Sequence, residues 1–142
     1  MKNYVAIDGI KKILTETNEQ QGWDIPLYVI NYEAEILAEK IDHNPWDPQP
    51  SYAEQFMKVR TAREALELGN TCWFTRAVFP EYKSRRGIPA SYYVDMGKSC
   101  YARVLDQSDL PAVRVLCDHF EFLAETVYTA VRHYGQFREM WD

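Results

Sequence analysis

Residues 69–101 read GNTCWFTRAVFPEYKSRRGIPASYYVDMGKSCY, and the fold turns on how this stretch is taken. An aromatic segment carrying Cys72 leads into the basic loop Lys83–Gly87, and a second aromatic segment carrying Cys100 follows. Pro80 and Gly87 punctuate the middle, and Pro89 suits the first turn of a helix, where a missing N–H costs nothing. The pattern predicts a helical hairpin with a charged tip. Cys72 and Cys100 stand equally far in sequence from Arg86, so antiparallel arms would bring the two thiols to similar heights.

The flanks show helical spacing as well. Ile7, Ile10 and Leu14 mark one face of a helix over about Tyr4–Thr17, which Asn18–Gly22 stops. Asp24 is the expected N-cap of the next helix, with Pro26 in its first turn. That helix has an inner stripe of Leu27, Ile30, Ala34, Leu37 and Ile41, while Glu33, Glu35, Glu39 and Lys40 are expected to meet water. Three prolines between Asp42 and Pro50 enforce an extended connector, with Trp46 as an anchor. Ser51–Glu54 has the form of a capping box, and a third helix follows whose stripe is Tyr52, Phe56, Val59, Ala62, Leu66 and Trp73. Whether it bends or breaks at Gly69 is open. Tyr93, Gly97, Cys100 and Val104 share a face of the fourth helix, and a glycine in that position implies a packing or ligand reason. Asp106–Asp109 separates it from a long last helix with a stripe from Val113 to Tyr134.

The fold class expected is therefore all-α: one domain spanning residues 1–142, built as a bundle of about five mostly antiparallel helices with a long C-terminal helix. A chain of 142 residues can close one core without staples. Its longest apolar runs fall far short of the ~20 residues that cross a bilayer. Three cysteines, an odd number, with no secretory apolar core at the start, point to reduced thiols and a cytoplasmic location.

Charge is unevenly spread. The formal net charge is −5, yet Lys58–Arg103 holds nine basic and four acidic residues, leaving seven basic and seventeen acidic in the flanks. Acidic helices beside a basic hairpin account for this at least as well as an anion site does. Nucleic acid is disfavoured, because its phosphates would meet an acidic surface of sequence pI about 5.2.

The known chemistries find little to stand on. Two-iron bundles need Glu-x-x-His pairs, and the residues three before His43, His119 and His133 are Lys40, Leu116 and Ala130. His119 and His133 would lie about 21 Å apart along one helix. Cys117-Asp118-His119 is not zinc-site spacing. Neither metal nor cofactor is expected. Gly69, Gly87 and Gly97 are isolated and form no phosphate loop, and no G-x-S-x-G elbow is present. Cys72 and Cys100 could form a redox pair, but two small side chains in a tight seam explain them more simply.

The segments Leu68–Cys72, Phe79–Glu81, Arg85–Gly87, Tyr92–Tyr93 and Met96–Gly97 resemble a stretch shared by uncharacterised helical proteins of bacteria. The resemblance covers about a quarter of the chain and implies no activity. Function is left between two readings. The first is a non-catalytic interaction or adaptor protein, pairing with itself as a homodimer or with another protein, as the 14% aromatic content suggests. The second is a small anionic ligand held at the hairpin, with or without catalysis. There Arg76, Arg85 and Arg86 would take the charge, Tyr92 and Tyr93 would bound an apolar part, and Asp95 would orient it.

Overall fold

The computed structural model describes residues 4–42, 58–81, 92–134 and 138–141. Within them are six α-helices, a short 3-10 helix at Arg138–Trp141 and no strand. The helices are α1 (Tyr4–Gln21), α2 (Leu27–Asp42), α3 (Ala62–Val78), α4 (Tyr92–Leu105), α5 (Pro111–Asp118) and α6 (Phe120–His133). The all-α class stands, with one helix more than the five expected. Trp46, the Ser51–Glu54 capping box, the Lys83–Gly87 tip, Pro89, Arg85 and Arg86 lie outside the described residues.

α1 runs one turn past Thr17 and ends where Gly22 adopts φ 67°, a conformation that costs glycine little. The link to α2 is fastened by Asn18, whose amide accepts from Ile25 N at 3.1 Å and donates to Ile25 O at 3.2 Å. Asp24 does not take the expected N-cap role: it sits at φ 59°, whereas a cap residue needs extended backbone. The Pro26 carbonyl receives the first helical bonds instead, from Val29 N and Ile30 N.

α2 departs from its reading on the outer face. Glu35 and Glu39 are exposed as expected, but Glu33 is fully buried and Lys40 is half-buried. Three helices crowd around α2, so it has no single wet side. Val29, Ile36 and Ala38 are buried beside the stripe residues Ile30, Ala34 and Leu37.

α3 is a helix of its own. Val59 and Arg60 are not helical, and Thr61 caps a new start by accepting from Glu64 N at 3.1 Å. The stripe proposed from Tyr52 to Trp73 therefore does not belong to one helix. Arg103 of α4 holds the Val59 carbonyl at 3.2 Å. Beyond its cap, α3 passes through Gly69 without interruption.

The long C-terminal helix divides at His119, which takes φ −127° and ψ 38°. Its N–H still bonds Val115 O and its carbonyl still receives Leu123 N. The kink swings Phe120 into the core, tilted against Tyr101 at 5.9 Å between ring centres. Aromatic side chains close the far end: Trp141 donates to Leu37 O at 2.9 Å and packs edge-on to Phe74, which meets Phe79 in the same way.

Candidate functional site

α3 and α4 are the arms of the hairpin, and they form the most extensive helix pair among the described elements. Gly69 of α3 faces Tyr101 of α4, while Gly97 of α4 faces Cys72 of α3. Residue numbers rise on one arm as they fall on the other, so the arms are antiparallel. The helices meet this closely because both glycines lack a side chain. A Cβ on Gly69 would reach 2.8 Å from the Tyr101 ring, and one on Gly97 would reach 2.6 Å from the Phe120 ring.

Cys72 and Cys100 are neighbours in this seam, both buried and both free thiols. Burial pushes the Cys72 thiol far above its ordinary range and lifts Cys100 to about 11. Neither is a thiolate at neutral pH, so neither has nucleophilic character there. They pack rather than react.

Next to the thiols runs a chain of polar groups. Tyr101, completely buried, donates to Asn70 Oδ1 at 2.8 Å, and Asn70 Nδ2 donates to the Tyr32 hydroxyl at 3.3 Å. One asparagine thus satisfies tyrosines from two other helices. Sequence reading missed Asn70, whose polarity in the middle of an apolar helix was the available signal.

Of the six residues proposed for an anion site, Arg85 and Arg86 lie outside the described residues. The remaining four are divided between α3 and α4. Arg76 is mostly shielded and forms an ion pair with Glu125 of α6 at 3.3 Å. Its place in the last turn of α3 also suits the negative end of the helix dipole. Tyr93 is closed into the core, its ring edge-on to Tyr92. Tyr92 and Asp95, one turn apart, share the outer face of α4.

A cleft of about 370 Å³ opens instead between α2 and α3. Leu68 and Val59 supply its apolar part; Lys40, Lys58, Glu39, Glu64 and Glu67 supply charge. Lys40 reaches across to donate to Thr71 Oγ1 at 2.7 Å, and the Thr71 hydroxyl in turn donates to Glu67 O at 2.9 Å. Burial lowers the Lys40 pKa, against the opposing pull of Glu39 and Glu67. The ammonium uses one of its three N–H groups on Thr71, so it can serve a ligand with the others. Among the described residues no group of three or more His, Cys, Asp or Glu is placed to hold a metal ion.

Compared with protein-family models, with curated proteins and with solved structures, the chain matches none. No described helix is long and apolar enough to cross a membrane.

Proposed function

We propose that this protein is a non-catalytic interaction module that associates with a second copy of itself through the outer face of α1. The observation that carries the reading is the pair Tyr4 and Val5, 68% and 85% exposed. Burying a side chain of this size is worth about 1.5–3 kcal/mol. The opposite face of the same helix, with Ile10 and Leu14, is committed to the core, so the outer face is what remains for a partner. Tyr28 and Leu27 on α2 are also half exposed, and tyrosine is enriched where protein surfaces meet.

Sedimentation across a wide concentration range tests this. The wild type is expected to show a concentration-dependent dimer, and Val5→Lys to shift the equilibrium toward monomer. A wild-type monomer at every concentration would sink the proposal.

The α2–α3 cleft supports a second reading, in which a small molecule rather than a protein is bound. Its volume is of ligand size, and both signs of charge line it beside Leu68 and Val59. With two lysines and three glutamates in the lining, a ligand of either single sign meets like charge, so a zwitterion such as a free amino acid fits best. Amide chemical shifts of α2 and α3 should move on addition of leucine and much less with N-acetyl-leucine or leucinamide. Equal shifts with all three, or none with any, would remove this reading.

A further inference from the structure

Glu33 is the one charged-type residue among the fully buried side chains of the described core, at 1% exposure. Its Oε2 atom has no hydrogen-bond partner. It lines a cavity of about 10 Å³ together with Leu14, Thr17, Asn18, Trp23 and Thr126, a volume that accommodates about one water. The cavity sits where side chains of α1, the α1–α2 link, α2 and α6 converge.

Among the described residues no other ionisable group lines the cavity. On α1 the carboxylates beside the lining residues are Glu16, whose Oε2 accepts from the Tyr134 hydroxyl at 3.1 Å, and Glu19, which is exposed, as is Asp24 on the link. On α6 the carboxylate is Glu125, paired with Arg76. Glu35, the following acid on α2 itself, is exposed. Among the described residues that line the cavity, Glu33 meets no cation.

The hydroxyls in the lining are already oriented. Thr17 donates to Ile13 O at 2.9 Å and Thr126 donates to Leu123 O at 2.7 Å. Both therefore offer only lone pairs to the cavity. The Asn18 amide spends a donor and an acceptor on Ile25. A water in such a place has two hydrogens to give, and two threonine oxygens can take them. Its own lone pairs then need donors: a carboxylic acid supplies one and a carboxylate none, beside the second Asn18 N–H and the Trp23 indole N–H that the lining also holds.

From this arrangement we infer that Glu33 is a protonated internal acid holding one water against Thr17 and Thr126, and that removing its proton loosens α1 and the Trp23 link from α2 and α6. Ionised, Glu33 loses its own donor and becomes a further acceptor, in a corner whose described lining holds no cation to balance the charge. An unpaired buried charge is expensive, and the cheapest relief is to let water in along the α1–α2 link. Trp23, half-buried at the cavity, moves first. The corner then acts as a proton-linked latch, and it works independently of the α1 outer face.

Two measurements on the intact chain decide the matter. The first follows the Glu33 side-chain carboxyl carbon by NMR from pH 3 to 9: it should remain in the protonated position at pH 7. Titration near the ordinary value of 4.5 would overturn the inference. The second compares wild type with Glu33→Gln, which keeps the shape and a permanent donor. Trp23 emission, taken as the difference from matched Trp23→Phe proteins, should shift to the red with rising pH in the wild type and stay flat in Glu33→Gln. Superimposable profiles would overturn the latch. Should Glu33→Gln fail to fold, amide exchange of residues 17–25 in the wild type replaces it. Exchange at pH 8.5 should then be at least tenfold faster, after correction for intrinsic rates, than at pH 5.5, and equal corrected rates would count against the latch.

Discussion

Gly97 and Cys72 face each other so closely that a β-carbon added to Gly97 would stand 3.0 Å from the Cys72 Cβ. The contact fixes the spacing of α3 and α4, and the remainder of the core is built to it. Phe120 closes one side of Gly97 and Tyr101 covers Gly69. An exposed helix gains about 1 kcal/mol when alanine replaces glycine. At these two sites overpacking of about 1–3 kcal/mol should reverse the sign. Urea denaturation should show Gly69→Ala and Gly97→Ala destabilised. Gly9→Ala, which meets nothing within 4 Å, should be stabilised.

The same seam sets thiol reactivity. Native protein treated with Ellman's reagent should leave Cys72 and Cys100 unmodified while half-exposed Cys117 reacts slowly. In urea all three should react. Rapid modification of Cys72 or Cys100 in the folded state would contradict the packing described.

Asn70 gives a sharper test than either tyrosine it serves. Tyr101→Phe removes one hydrogen bond and should cost about 1 kcal/mol. Asn70→Ala strips partners from both Tyr32 and Tyr101 and should cost about 2–4 kcal/mol, since unpaired hydroxyls remain inside. Denaturant midpoints of the two variants decide whether the chain is cooperative in this way.

Stability should respond to pH in two windows. The folded Glu33 pKa is raised by burial, so above about 4.5 the unfolded chain releases a proton that the folded chain keeps. Its contribution is fully present below that value and fades as pH rises toward the folded one. Burial also raises Cys72, Cys100 and Tyr101, so a second decline begins near pH 9, where unfolded thiols ionise. Thermal melts should show Glu33→Gln gaining a few degrees over wild type at pH 7 and much less at pH 4.5. The alkaline decline should be common to both.

Helix type and the hairpin were legible because they rest on spacing. The seam could be anticipated from Gly97 and Cys100 on one face, and the structure supplies the reason for the glycine: the Phe120 ring occupies its side-chain space. The division at His119 left no trace in the sequence, since Val113, Leu116, Phe120 and Leu123 keep helical spacing straight through the kink. Burial of Glu33 was equally hidden. Its position on α2 reads as outward until side chains of α1, the α1–α2 link and α6 close around it, and such tertiary crowding is not encoded in one helix's periodicity. Tyr92 and Tyr93 differ in a way that spacing does not show: one is half exposed and the other is closed into the core, while their rings still meet edge-on.

Self-association through α1 is the central functional claim, and sedimentation equilibrium of the wild type beside Val5→Lys tests it most directly. The account expects a reversible wild-type dimer at micromolar concentration and a dissociation constant at least tenfold weaker in the variant, with the two proteins equally stable to urea. A wild-type monomer throughout, or a dimer that Val5→Lys leaves unchanged, would contradict it.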